Sequence, residues 1–507
     1  MIVTVRGLER DVAILVLLHL IIGLVYLDAV PRYFDDESWE ASLGYSLATE
    51  GRLRNLAMVG CGGMEIRFVQ TRIVLPLACG GAYALVGDRG AATCRVVSVL
   101  MGALAVVATW ALARRWFGRG VALASGLLLI SNFWFFEVTR RIRPEIYYLA
   151  LGACGLWALV AAVESKRRAS AAVAGVFLAL TVLSHPMGWS VAIAAGGGVL
   201  LAHDGRALLR ILPWVALGAA IPLAAYLAYL GVSVQIPGVD YFEQMRGCRA
   251  QAMPQMERYF SRALHAWSFF FQLPKGAPLA AVWAAAWLAA CFGPTRGDRT
   301  LAATSGLLVL LFPYGKGGDF RFATALTPLF AVLVARLVER LWESARGAGD
   351  QAARARRVAA ALVAAVYLGT GVGGILLFFH HLRGADLEAL LDRIGAVVGP
   401  TARLHGESLF WLGHARYAFV PRVYTEDDEY VAWLRAQRPE YVIRTAWHFP
   451  SGHSITSPPA AMPADRASPI DRVCRDHGLR VAAFRDPYFG PVEIYRMDWG
   501  SLSSPSP

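Results

Sequence analysis

The apolar residues of this chain fall in blocks about as long as a bilayer is thick, and this constrains the fold more than any other feature. An α-helix needs about 20 mostly apolar residues to cross the hydrocarbon core. Inside that core each backbone polar group must be bonded within its own structure, which leaves helices or closed barrels. The segment 12–30 is apolar except for His19 and Asp28. Further blocks lie near 96–113, 120–137, 145–163, 169–184, 187–202, 211–230, 277–293, 300–314, 322–339 and 357–379, with a shorter one at 73–87. Hydrophobic residues make up 56% of the 507 and charged residues 17%, against about 25% charged in an average soluble protein. A disordered chain is excluded and a soluble globular enzyme is not expected. The fold class is mainly α, a polytopic transmembrane helical bundle.

The net charge of +12, from 49 basic and 37 acidic residues, has to be placed on a topology before it is interpreted. Arg6 and Arg10 precede the first block, and no small-x-small cleavage site follows it around Asp28-Ala29-Val30-Pro31-Arg32. That predicts an uncleaved anchor with a cytoplasmic N-terminus. The short basic connectors are Arg114-Arg115 with Arg119, Lys166-Arg167-Arg168, Arg206 with Arg210, Arg296 with Arg299, and the run from Arg340 through Arg357. All fall on the side of Arg6 and Arg10 if 73–87 does not cross, as the positive-inside rule asks. The expectation is about eleven spans, an interfacial helix at 73–87, and a C-terminus outside. The charge then reports orientation and membrane lipids as partners, and no nucleic acid is implied.

Three segments face outward on this topology: 31–95, 231–276 and the part from about 380. Residues 1–380 form the membrane unit. Residues 381–507 differ in texture. Short apolar runs, Tyr441-Val442-Ile443 and Val492-Glu493-Ile494-Tyr495, alternate with polar helical stretches at 426–437 and 470–478. This predicts a small outer α/β domain, with a disordered Ser/Pro-rich tail at 501–507.

Polar groups gather on the same outer side. Asp35, Asp36 and Glu37 follow the first span, Arg140, Arg141, Arg143 and Glu145 lie between the third and fourth, His185 follows the fifth, and Lys316, Asp319 and Arg321 follow the ninth. Three arginines in a short outer loop run against the positive-inside bias, and an anionic ligand would account for them, since arginine pairs with phosphate bidentately. Plainer readings stand beside this one. Asp35-Asp36-Glu37 suits a solvated helix start, Glu145 after Pro144 suits a first helical turn, His185-Pro186 suits a turn, and Lys316 and Arg321 suit lipid head groups. No dinucleotide loop, Walker loop or HExxH is present. The seven cysteines show no CxxC spacing, so neither zinc nor redox chemistry is indicated. No cofactor is called for, and a divalent metal is left open. Cys61, Cys248 and Cys474 fall outside, where a disulfide is permitted, and Cys61–Cys248 is the first pairing to test. His448 and His453 sit in a Pro/Ser-rich loop and read as solvent-exposed.

The stretch FDDESWEASLGYSLATEGRL resembles the first outer loop of the GT-C superfamily of membrane glycosyltransferases, nearest the protein O-mannosyltransferase and aminoarabinose transferase branch. There an Asp-Glu pair follows the first span and a glycine closes the next helix, places held here by Asp36-Glu37 and Gly51. The segment Arg72 through Trp157 and the segment KGGDFRFATALTP are similar to later parts of that family. The likeness covers about the first 340 residues. One departure is Val69-Gln70-Thr71-Arg72 where many relatives have Lys-Pro or His-Pro-Pro; Arg72 or Arg67 takes that place. The resemblance implies an enzyme of a bacterial-type plasma membrane. It moves a sugar from a polyprenyl-phosphate donor, with inversion, to a hydroxyl or amine of a lipid, glycan or protein acceptor. Such a reaction needs one base for the acceptor proton and positive charge where phosphate departs. It needs no second carboxylic acid of the glycosidase kind. Asp36 is the expected base, ahead of Asp35, Glu37 and Glu145. Glu145 is expected to orient the acceptor or bind a metal. Arg143, Lys316 and Arg321 are the expected phosphate ligands, with Arg72, Arg140 and His185 as further substrate contacts. The competing reading is a transporter or flippase of a lipid-linked anion, for which internal repeats are the usual sign, and none is visible. A scaffold role for the outer α/β part is the third.

Overall fold

The computed structural model describes residues 5–87, 90–246, 276–311, 324–346, 349–423, 427–445 and 469–500. Helix α1 covers Val5–Leu24. The segment after it holds α2 (Asp35–Glu50), the two-residue strand β1 (Met58–Val59) and α3 (Val74–Val86). The chain continues through α4 (Ala91–Phe117), α5 (Arg119–Ile130), α6 (Phe133–Thr139), α7 (Glu145–Ser165), α8 (Arg168–Ser184), α9 (Gly188–Ala202) and α10 (Gly205–Ser233). After the short α11 (Tyr241–Arg246) come α12 (Gly276–Cys291), α13 (Arg296–Leu311), α14 (Thr327–Ser344) and α15 (Asp350–Leu382).

A helix therefore stands at each of the eleven expected apolar blocks. By length and apolarity only four described helices suffice for a crossing alone, those beginning at Ala91, Glu145, Gly205 and Asp350. Helix length therefore does not by itself give eleven spans. The expected single span at 120–137 is two helices, α5 and α6, bent by 66°. The bend sits at Asn132, whose side chain accepts from Phe135 N at 3.0 Å and donates to Tyr367 Oη on α15 at 3.2 Å. An asparagine that caps a new helix ends the previous one.

Helix α2 starts where Glu37 Oε1 accepts from Phe34 N, 3.1 Å away, satisfying a backbone donor the helix leaves unpaired. It stops at Gly51, whose φ of +69° favours glycine. Against α3 the two backbones approach closely, because a Cβ at Gly44 or Gly80 would run into the other helix. This packing fixes α2 against the rest of the helical part.

Beyond α15 lie α16 (Leu387–Val398), β2 (Arg403–His405), a 3₁₀ turn (Ser408–Gly413), β3 (Ala418–Val420), β4 (Arg422–Val423), α17 (Asp427–Gln437), β5 (Tyr441–Thr445), α18 (Pro469–His477), β6 (Gly478–Asp486) and β7 (Gly490–Met497). Five strands form one sheet in the order β3-β2-β5-β7-β6, parallel on the β3-β2-β5 side and antiparallel on the other. The mixed α/β texture expected after 380 is present. This part closes onto the segment between α1 and α3. Strand β4 pairs in parallel with β1, and Tyr45 on α2 meets the Trp411 and His414 rings edge-on at 5.7 and 4.5 Å. Arg32 donates to the Tyr488 carbonyl at 2.7 Å.

Candidate functional site

Asp36 and Glu37 are neighbours in sequence, but α2 turns them about 100° apart. Glu37 points inward. Its carboxylate is fully buried and accepts from Arg95 Nε and Nη2 on α4 at 3.0 and 2.9 Å. It also accepts from Ile142 N at 3.1 Å. Arg95 is equally buried; it donates to the Leu27 carbonyl at 2.7 Å and lies 3.5 Å over the Tyr33 ring. One carboxylate thus ties the start of α2, helix α4 and the loop 140–143 together. Burial pushes the Tyr33 hydroxyl well above its usual range; Arg95 opposes this and Glu37 adds to it.

Asp36 points the other way, and 38% of its side chain is exposed. It accepts from Arg143 Nη1 at 2.7 Å. The opposite edge of Arg143 is taken by Glu145, at 2.9 to 3.2 Å from Nε and Nη2. Glu145 opens α7 and is nearly fully buried. A planar guanidinium, with donors on two edges, therefore holds two carboxylates in fixed relation, one open to solvent and one enclosed. Asp35 begins α2, and its side chain lies outside the described atoms.

The arginine-rich loop is largely accounted for from within the protein. Arg140 is completely buried and donates to the carbonyls of Ile22, Gly23, Val25 and Val30 at 2.5 to 2.8 Å. The carbonyls of Ile22 and Gly23 belong to the last turn of α1, which has no helical partner for them, and a cation there also suits the helix dipole. The expectation that Arg140 contacts substrate is replaced by this internal role. Arg141 pairs with Glu137 at 2.9 Å. Burial lowers the Arg141 pKa; Glu137 and Glu37 raise it again, while Arg143 and Arg95 push it down.

Two more side chains close the site. His185 Nδ1 accepts from Met187 N at 3.0 Å, so its proton resides on Nε2 when the ring is neutral. Its ring lies 5.6 Å from Tyr148, one turn along α7 from Glu145. Ile73 N donates to the Leu183 carbonyl at 3.0 Å, which brings the 71–73 segment beside the α8–α9 turn. Arg72 then reaches Glu40 on α2 in an ion pair and lies 4.6 Å over the Trp39 ring. Glu40 follows Asp36 by four residues and shares its face of α2.

Asp36, Arg143 and Glu145 are thus bonded to one another, while Arg72 is joined to the same face of α2 through Glu40 and His185 to the first turns of α7 through Tyr148. Lys316 and Arg321, and Cys248 of the expected disulfide, lie outside the described residues. Among the described residues no three His, Cys, Asp or Glu side chains gather as a metal site. Sequence reasoning missed Glu37's partner Arg95, and Glu137 and Glu40. A lone charge in an apolar helix, as at Arg95 and Glu137, was the available signal.

Compared with solved structures, the chain superposes over its whole length on ArnT from Cupriavidus metallidurans bound to undecaprenyl phosphate. The TM-score is 0.65 at 14% identity, covering 98% of this chain and 100% of that one. The chain has the fold of the GT-C membrane glycosyltransferases. A second match is the Archaeoglobus fulgidus oligosaccharyltransferase, solved with an acceptor peptide tethered to it. It has TM-score 0.54 and 12% identity, and covers 86% of this chain and 69% of that one. The archaeal enzyme in complex with an inhibitory peptide and a dolichol-phosphate matches at TM-score 0.50 and 13% identity, with the same 86% and 69% coverage. Residues 73–230 match the family described as dolichyl-phosphate-mannose-protein mannosyltransferase. No curated protein matches the chain in sequence. On this GT-C frame, the matched family segment contains Glu145, Tyr148 and His185, while Asp36 and Arg72 lie before it.

Proposed function

We propose that this protein is an inverting glycosyltransferase of a bacterial-type plasma membrane, taking its sugar from a polyprenyl-phosphate donor on the outer face. The topology is eleven spans with the N-terminus cytoplasmic, residues 73–87 at the interface, and the C-terminal part, about 381–507, outside. The observation that carries the reading is the Asp36–Arg143–Glu145 constellation, set in a chain whose fold is that of enzymes handling lipid phosphates.

Asp36 is the base. Its exposed carboxylate takes the proton of an acceptor hydroxyl or amine, and the acceptor attacks the anomeric carbon on the face opposite the phosphate. The lipid phosphate departs as an anion and needs positive charge rather than a proton. Lys316 and Arg321 supply that charge, with Arg72 as a weaker contributor. Arg143 has both edges on carboxylates, so its first task is to aim Asp36. Glu145, enclosed behind Arg143, completes that aim and through it orients the acceptor. His185 offers Nε2–H to the substrate. Glu37, fully enclosed, serves the framework.

Mass spectrometry of envelope lipids and glycans tests the reading in three strains: with the gene, without it, and with an Asp36→Asn copy. The expected result is one product lacking a single sugar mass in the last two strains. Unchanged products in all three would contradict the reading.

A further inference from the structure

One carboxylate beside Arg72 has no place in that mechanism. Glu40 is 1% exposed, yet Oε2 has no hydrogen-bond partner among the described residues. Its only described ion pair is Arg72 on Oε1. Two further buried polar atoms nearby also lack partners among the described residues: Trp39 Nε1, beside Glu40 on α2, and Thr71 Oγ1, beside Arg72. Burying such groups unpaired is unfavourable, most of all for a charge. Native proteins rarely keep several together without a ligand or water to satisfy them. Gly44, one turn beyond Glu40, and Gly80 let α2 and α3 approach closely beside it.

We propose that Glu40, Trp39 and Thr71 form the subsite that recognises hydroxyl groups of the transferred sugar, and that Glu40 is a specificity-determining residue. The chemistry matches in kind. A carboxylate oxygen accepts from sugar hydroxyls, an indole N–H donates to one, and a threonine hydroxyl does either. The position matches too. Glu40 lies one helical turn from Asp36 on the same face, a separation of about 6 Å along α2. A pyranose with its anomeric carbon near Asp36 can extend a ring hydroxyl toward Glu40. A site built to bond a hydroxyl rejects the sugar that lacks it far more strongly than an apolar pocket does. The inference rests on the donor reading above.

The test uses the full chain in lipid nanodiscs. Dissociation constants are measured for bare undecaprenyl phosphate and for undecaprenyl phosphate carrying mannose, glucose, galactose or arabinose. The wild type is expected to bind at least one glycosylated carrier tenfold or more tightly than the bare one. Glu40→Gln should erase most of that gain while leaving bare-carrier affinity within twofold. Trp39→Phe, which keeps an aromatic ring and removes the N–H, should erase part of it. The unchanged bare-carrier affinity shows that each variant is folded. A Glu40→Gln protein that keeps the full gain overturns the inference. So does one that weakens bare and glycosylated carriers equally, which would make Glu40 only the anchor of Arg72. A wild type that binds bare undecaprenyl phosphate but gains from none of the four sugars also overturns it. A wild type that binds none of the five overturns the donor reading itself.

Discussion

Asp36 and Glu37 should give opposite phenotypes, and the structure sets the size of the difference. Glu37 accepts four hydrogen bonds, two of them from Arg95. Glu37→Gln keeps the shape but leaves one carbonyl oxygen where two carboxylate oxygens stood, and turns an NH₂ toward donors. Arg95 stays buried, and apart from the new amide its described partners are only the Leu27 carbonyl and the Tyr33 ring. Hydrogen bonds to charged groups contribute about 1.5–3 kcal/mol each, and removing one member of a buried pair costs about 3–5 kcal/mol. At about 2–4 °C per kcal/mol, the midpoint should fall by about 6 °C or more. A thiol-reactive dye reads this directly, because Cys79, Cys94 and Cys154 are buried and react only on unfolding. The background carries Cys291→Ser and Cys248→Ser. Adding Arg95→Met to Glu37→Gln should recover part of the loss, since no charge is then left without its partner. Asp36→Asn, at a half-exposed side chain, should cost no more than about 1 kcal/mol. A Glu37→Gln midpoint within about 2 °C of wild type, less than 1 kcal/mol on the same scale, or a double variant as poor as the two losses added, would refute the reasoning.

Other variants separate structure from chemistry. Arg143→Lys keeps the charge but cannot grip Asp36 and Glu145 on two planar edges; steady-state kinetics should show kcat down about tenfold or more, with donor affinity little changed. Arg140→Ala removes four hydrogen bonds to the end of α1 and its loop. The same dye assay should show a loss of at least about 2 kcal/mol, while donor binding by the folded fraction stays intact. Gly63 has a φ of +71°, and a Cβ there would strike the Gly238 backbone; Gly63→Ala should lower the midpoint by about 1–3 kcal/mol equivalent.

What could be read in advance depended on how far apart the partners lie in sequence. Apolar blocks and strand alternation are local patterns, and the helices of the membrane part and strands β5 and β7 stand where those patterns put them, while β2, β3, β4 and β6 carried no such sign. The helix that carries Asp36 was legible because its surroundings form a contiguous pattern ending at Gly51. The arginine loop was not. Its excess charge suggested an outside anion, but Arg140 is matched by carbonyls more than 100 residues earlier. Arg95 reaches Glu37 across 58 residues. The α5–α6 bend hid in an apolar run, with Asn132 as its one sign. Glu40 looked like any polar residue of α2 until the fold enclosed it against the 71–73 segment.

The central claim is that Asp36 removes the acceptor proton in a sugar transfer, and single-turnover release of undecaprenyl phosphate from a glycosylated carrier measures it most directly. The sugar is whichever carrier the binding panel selects, and membranes from the three strains supply acceptor. Wild type should release the lipid phosphate in step with product. Asp36→Asn should do so about 10²–10⁴-fold more slowly, the range for a lost general base, with carrier affinity retained. Glu145→Gln should fall between them. Normal release by a folded Asp36→Asn protein, with Glu145→Gln inactive, would contradict the assignment of the base to Asp36.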